Sequence, residues 1–342
     1  MMKGKGAVLF WTDLHMHPWQ EGQRAHRWKD GISIIQKIYG DFDVLDSICA
    51  VFFCGDLFES RLMWRSDIAS DVFLCFAQVL ARLDMPCIFV AGNHDYYKGT
   101  GVSLLRSIGT GLKNKHVHIV DGIGATREFT FNGSTFGCLD YSTVHKSRLG
   151  DSAAKDVVKN TVLNSNVLIT HCDLKGGYHY GGHCSTKSDI DEQVIAKAKG
   201  LRFIVNGHYH IPQTFMVGKV KVICPGAVMQ HCWRDMDTDA ERGATAFNIK
   251  EGSCKRLLIP TPNFWSSIEK AGDHFSEIDF VRSVPKAKGE IKSKRLNNSA
   301  TQKIASASIL EAFDAYCEND GVSAKRRKTM VELLKEIQKE GS

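Results

Sequence analysis

The stretch Pro86-Cys87-Ile88-Phe89-Val90-Ala91-Gly92-Asn93-His94-Asp95 decides the reading of the whole chain. Six uncharged residues lead into a glycine turn, and the turn hands over to Asn, His and Asp in succession. An apolar run of this length, bounded by turn residues, predicts a strand buried on both faces. Open α/β sheets keep their sites at the carboxyl ends of such strands. Asn offers a neutral oxygen, His a ligand nitrogen or a proton, and Asp a carboxylate that can orient the imidazole from behind. The tetrapeptide alone is equally compatible with a polar turn closing a strand. What decides is whether other strands end in the same way.

Four more do. Ala7–Trp11 runs into Asp13-Leu14-His15, and Cys49–Cys54 into Gly55-Asp56-Leu57-Phe58-Glu59. Val167–Thr170 precedes His171, and Phe203–Val205 precedes Asn206-Gly207-His208-Tyr209-His210. Loop composition does not explain five apolar runs that each end in carboxylate, amide or imidazole. Between the first three runs, Ile34, Ile35, Ile38 and Tyr39, then Val72, Phe73, Phe76, Val79 and Leu80, recur at helical spacing. The resulting β–α–β–α–β order predicts parallel strands joined by crossover helices. Further on, Asn132-Gly133 between Phe129 and Phe136 predicts a hairpin. Residues 150–165 and 189–199 are expected to be helical, residues 175–187 a Gly/His/Ser loop, and Gln213–Val217 with Lys221–Cys224 a second hairpin.

Composition narrows the class. A chain of 342 residues with 43% hydrophobic and 24% charged content can bury a full core and carry a smaller appendage. No apolar run approaches the roughly 20 residues that span a bilayer. The first run stops at Trp11, too short for a secretory signal. The eleven cysteines are odd in number and form no CxxC pair, and several lie in apolar stretches. That usage fits a reducing cytoplasm. A net charge of +6 permits nucleic acid as a partner without demanding it. Basic clusters at Lys286–Arg295 and Lys325–Lys328 are compatible with a solvated face or with phosphate contacts.

From about Ile259 the composition shifts. We expect a globular domain over residues 1–258, a capping region or linker over 259–300, and a C-terminal helical pair over 301–342. Ile309, Leu310, Phe313 and Tyr316 mark the first stripe of that pair, and Met330, Leu333, Leu334 and Ile337 the second. Such stripes can pack on their own domain or on a partner.

The polar strand ends define a chemistry. Asp13, His15, Asp56, Asn93, His171, His208 and His210 make seven oxygen and nitrogen ligands without a thiolate. Seven are too many for one tetrahedral zinc and suit two adjacent divalent ions sharing a carboxylate. Such a donor set favours Mn, Fe or Zn. Two such ions can activate water and clamp a phosphoryl oxygen, and His94 is then left to stabilise or protonate the departing oxygen. The expected reaction is phosphoester hydrolysis. His17, His231, Arg61 and Arg65 are candidates for contact with substrate phosphate, with loop histidine and surface ion pairing as the plain alternatives. A zinc site from Cys172, His179, His183 and Cys184 has no well-matching spacing.

Asp13-x-His15, Gly55-Asp56-x-x-Glu59, Gly92-Asn93-His94-Asp95, His171 and Gly207-His208-x-His210 together resemble the signature of calcineurin-like metallophosphoesterases, in family order over residues 7–210. The resemblance implies a four-layer α/β/β/α sandwich, followed here by the small C-terminal capping region and helical pair. It implies that Asp13, His15 and His210 hold one ion, that Asn93, His171 and His208 hold the other, and that Asp56 bridges them. It makes His94 catalytic and Asp95 its positioning partner. Within the superfamily, Gly55–Phe58 with Ser60-Arg61, Ser103-Leu104-Leu105 and Ile223–Val228 resemble the SbcD-type nuclease subunit of double-strand-break repair, including its phage versions. That likeness implies a manganese-dependent exo- and endonuclease on DNA, dimeric within a complex, whose C-terminal helices dock on an SbcC-type coiled-coil ATPase. A stand-alone phosphatase or small-molecule phosphodiesterase is the alternative. Two positions depart from the branch: His17 stands where Gly is usual, and Glu59 where relatives carry His or Asp.

Overall fold

The computed structural model describes residues 6–16, 27–40, 47–59, 66–80, 85–96, 102–106, 115–125, 127–179, 183–229 and 242–259. All belong to the unit Met1–Phe264. His17, Arg61, Arg65, His231, the basic clusters, the capping region and the C-terminal helical pair lie outside the described residues.

The five apolar runs are strands of two six-stranded sheets. The first sheet has the order β12-β11-β1-β2-β3-β4, and the second β5-β6-β7-β8-β10-β9. Here β1 is Ala7–Trp11, β2 Ile48–Phe53, β3 Cys87–Val90, β4 Val117–Val120, β11 Gly243–Asn248 and β12 Ser253–Leu258. In the second sheet β5 is Glu128–Phe131, β6 Ser134–Leu139, β7 Val167–Thr170, β8 Phe203–Asn206, β9 Gln213–Val217 and β10 Val220–Cys224. β1 to β4 pair in parallel, as do β6, β7, β8 and β10, and the outer strands β11, β12, β5 and β9 join antiparallel. The crossover expectation holds. Asn132 and Gly133, both at positive φ, make the turn between β5 and β6.

Alternation within the strands builds the layers. Val8, Phe10, Ala50, Phe52, Ile88 and Val90 face Phe136, Cys138, Val167, Ile169, Val205 and Ile223 in one inter-sheet core. Phe52 stacks on Phe136 with ring centroids 5.3 Å apart. The intervening residues point the other way. Trp11 meets Tyr39 of α1 (Arg27–Gly40), and Phe89 meets Phe76 of α2 (Ser66–Leu80). On the far side, Leu139, Leu168, Ile204 and Val222 pack with Val144 of α3 (Tyr141–Arg148), Val158 and Val162 of α4 (Ser152–Asn164) and Ile195 of α5 (Glu192–Lys197). The result is the expected helix–sheet–sheet–helix sandwich. β11 and β12 are additions that the sequence patterns did not announce.

Candidate metal centre

Loops from both sheets meet at one end of the sandwich. After β1 the chain runs beside the chain after β2: Asp13 N–H donates to Gly55 C=O, His15 N–H to Asp56 C=O and Met16 N–H to Leu57 C=O, each at 2.9 Å. From the other sheet, Asn206 exchanges two hydrogen bonds with the backbone of Cys172, at 3.1 and 2.9 Å. The loops after β7 and β8 are thereby locked together.

The backbone is bent to bring the side chains in. Five non-glycine residues have positive φ among the described residues, and four of them are Asp13, His15, Asp56 and His208. Strain of this kind persists where the surroundings over-determine it and gathers at functional sites. Three motif glycines admit the close approach. A Cβ on Gly55 or Gly207 would collide with the His171 ring, and one on Gly92 with Asp56.

The structure brings the predicted ligands together. His15 Nε2 lies 3.1 Å from His210 Nε2. Asp13 Oδ1 lies 3.7 Å from His15 Nε2 and 3.5 Å from His210 Nε2. His171 Nε2 lies 3.1 Å from Asp56 Oδ2 and 3.2 Å from Asn93 Oδ1. Asp56 Oδ2 is also 3.7 Å from His15 Nε2, which puts this carboxylate between the two groups. The fit to divalent cations rests on Asp13. Its Oδ2 accepts from Thr12 Oγ1 at 2.7 Å, while its buried Oδ1 has no hydrogen-bond partner. Ligands held about 2.0–2.2 Å from a cation stand about 3–3.7 Å from one another, the size of the Asp13–His15–His210 triangle.

Electrostatics agree with a site made for positive charge. Burial works to raise Asp56, yet His171 and His94 hold its carboxyl well below the usual range. Burial raises Asp13, against the pull of His210 and His171. Burial would lower His171, but the Asp56 and Asp13 carboxylates push it up to about 9. His171 Nδ1–H donates to Cys54 C=O at 2.8 Å, and this fixes Nε2 as the ligand nitrogen.

Two expectations change. The carboxylate against His94 Nδ1 is that of Glu59, at 2.5 Å. Both oxygens of Asp95 are engaged elsewhere, accepting the backbone N–H of Asp56, Phe58 and Gly92 at 2.9, 3.0 and 2.9 Å. The reason is local geometry: Asn93–Asp95 is a 3₁₀ turn, and adjacent side chains on such a turn diverge. Asp95 therefore braces the loops instead of orienting His94. His208 also differs from the simple seven-ligand picture. Its ring stands against His171, with centroids 5.2 Å apart, and its Nε2 is 3.5 Å from Asp173 Oδ1. Sequence reasoning gave Asp173 no role, since an Asp beside a Gly-rich loop carries no distinguishing signal. The candidate thiol ligands join no metal-ligand group among the described residues: Cys172 is buried and accepts from Thr170 Oγ1. Among the described residues, the groups able to hold a cation contain only Asp and His.

A family model described as calcineurin-like phosphoesterase matches residues 7–212. Comparison with curated proteins finds no match. Among solved structures, a dimetal phosphatase from Danio rerio is 10% identical with a TM-score of 0.49, over 71% of this chain and 92% of that one. An archaeal phosphodiesterase is 13% identical with a TM-score of 0.38, over 74% and 99%. The phosphopantetheinyl hydrolase of Mycobacterium tuberculosis is 14% identical with a TM-score of 0.41, over 76% and 98%.

Proposed function

Since the chain belongs to the calcineurin-like phosphoesterase family, we propose that it is a two-cation phosphodiesterase acting on DNA in break repair or recombination, with an SbcC-type coiled-coil ATPase as partner. One observation carries the hydrolytic part. Asp13, His15 and His210 form one cation-sized group, and Asp56 with His171 forms a second that shares Asp13. Asp13, His15 and His210 would hold one ion, Asn93, His171 and His208 the other, with Asp56 between them. When bound, the two ions polarise the phosphoryl group and acidify the attacking water. The chain's own residues do the rest. Asp56 is kept ionised by the flanking imidazoles and by the N–H of His94, which donates to its Oδ1 at 2.7 Å. His94, with Nδ1 held by Glu59, turns its other ring nitrogen to the departing oxygen and delivers a proton there.

DNA as substrate and the ATPase as partner are supported by the SbcD-like cues at Ser60-Arg61, Ser103–Leu105 and Ile223–Val228. The basic clusters and the two apolar stripes near the C-terminus add to that support. Mn²⁺ is the proposed ion, and a homodimer within the complex the proposed assembly. A second reading is a stand-alone phosphatase or small-molecule phosphodiesterase; Glu59, standing where the branch carries His or Asp, bears on the balance of exo- against endonuclease action and not on this choice. The test uses the full chain with Mn²⁺ on linear duplex DNA, single-stranded DNA and a chromogenic phosphodiester, with and without the ATPase. Cleavage of DNA supports the first reading. Turnover of the ester with DNA untouched, even with the partner present, moves the protein to the second. Deletion of residues 300–342 should abolish partner binding and leave ester hydrolysis intact.

A further inference from the structure

Beside the centre lies a cluster that the hydrolytic account does not use. Asp173 Oδ1 is 2.9 Å from His179 Nε2 and accepts from Ser185 Oγ at 2.9 Å. The same oxygen faces His208 Nε2 at 3.5 Å. The loop that carries these residues is closed on itself. Asp173 N–H donates to Asp189 Oδ2, and Asp189 N–H returns to Asp173 C=O at 2.8 Å. Gly176 N–H donates to Ser185 C=O at 2.9 Å, and Ser185 N–H to Gly177 C=O at 2.8 Å. Tyr209, next to His208, is fully buried and bonds both backbone groups of Leu174 through its hydroxyl. Hydrogen bonds thus tie the described residues of the loop after β7 to Tyr209 in the turn after β8.

Resting on the two-cation reading above, we infer that Asp173 is a positioning residue: its carboxylate holds His208 by Nε2, so that Nδ1 is the nitrogen His208 presents to the cation it shares with His171 and Asn93. Metal-ligating histidines commonly donate their second ring N–H to a carboxylate, which fixes tautomer and ring orientation. The geometry supplies that arrangement here. Nε2 is the ring atom facing Asp173, and the ring stands edge-on to His171, with centroids 5.2 Å apart. His179 and Ser185 hold the carboxylate in place, and His179 in turn packs against the Tyr209 ring at 4.8 Å. His208 sits at positive φ, a strained state that persists where the surroundings over-determine it, and Asp173 is among those surroundings.

The experiment is Mn²⁺ titration of the metal-free full chain by calorimetry, for wild type, Asp173→Ala, Asp173→Asn, His208→Ala and the Asp173→Ala/His208→Ala double variant. Wild type should take up two ions. Asp173→Ala should weaken one of them by about 10–100-fold and leave the other unchanged. Asp173→Asn, which keeps an oxygen acceptor, should fall between. In the His208→Ala background the Asp173 change should add nothing. A second readout needs no metal. Ring ¹⁵N shifts of histidine-labelled protein should show His208 as the Nε2–H tautomer in wild type and as a tautomer mixture in Asp173→Ala. Unchanged affinity and tautomer in Asp173→Ala would overturn the inference, as would an equal further loss in the His208→Ala background. Failure of the wild type to bind two ions would sink the two-cation reading and this role with it, and shows before any variant is made.

Discussion

Replacing Asp95 by Asn separates a brace from a catalytic partner. Asp95 is fully buried, and its two oxygens accept three backbone N–H groups drawn from the loops after β2 and β3. Oδ2 serves two of them, Asp56 and Gly92, and Oδ1 serves Phe58. The least costly amide orientation keeps the oxygen on the pair and turns the NH₂ toward Phe58 N–H. One buried donor is then orphaned at about 1–3 kcal/mol, and above about pH 8, where Asp95 (pushed up to about 8 by burial and the Asp56 carboxylate) is ionised, two bonds also lose their charge assistance at about 1 kcal/mol each. The sum there is about 3–5 kcal/mol. That is a large share of the roughly 5–15 kcal/mol that holds a domain folded. For a unit of this size it corresponds to about 6–20 °C in Tm. The assay is thermal and urea denaturation of wild type and Asp95→Asn, beside turnover of a chromogenic phosphodiester at a temperature where both are folded. An unchanged midpoint with activity lost would refute the brace and return Asp95 to the role of His94's partner.

Glu59→Gln should do the reverse. With the carboxylate against His94 Nδ1 neutralised, turnover falls by about 100-fold or more, while the buried Glu59 loses the charge assistance of one bond, about 1 kcal/mol or about 2–4 °C in midpoint; an unaffected rate would remove Glu59 from the site's chemistry. Gly207→Ala places a methyl group into Cys54 C=O, the His171 ring and Thr12 Oγ1, none of which can retreat together. A loss of about 1–3 kcal/mol in denaturant unfolding is expected, with weakened cation uptake, and a wild-type midpoint would show that the loops separate more easily than their hydrogen bonds imply. Cation affinity should also depend on pH. His171 in the metal-free protein titrates near 9, above its ordinary 6.5, so its proton stabilises that form fully below about 6.5 and is lost as pH rises toward 9. A cation must displace this proton, so affinity should rise about tenfold per pH unit between 7 and 8.5. Flat affinity over that range would contradict the assignment.

Much of this is legible in the sequence, because a strand buried on both faces leaves an unmistakable apolar run. Cys87–Val90 and Val167–Thr170 are buried at every position. The residues that follow such runs can only emerge at the sheet end, so the five polar ends announced one site. What stayed hidden depends on contacts across the fold. Gly243–Asn248 begins with four small residues and becomes a strand by pairing with β1, and β12 is a largely exposed edge. Chain adjacency suggested that Asp95 serves His94, but a one-residue step in a tight turn points the two apart. Glu59 arrives from a different strand end, 35 residues earlier. Asp173 and His208 are likewise brought together only when the loop after β7 closes.

The most direct test is hydrolysis of a chromogenic phosphodiester and of linear duplex DNA by the full chain with Mn²⁺, wild type against His94→Ala, with bound ions counted in both. Wild type should turn over the ester and cut DNA. His94→Ala should retain two ions and lose about 10²–10⁴-fold in rate. A His94→Ala protein as active as wild type, or a wild type that binds two ions and hydrolyses neither substrate, would contradict the chemistry assigned to this site.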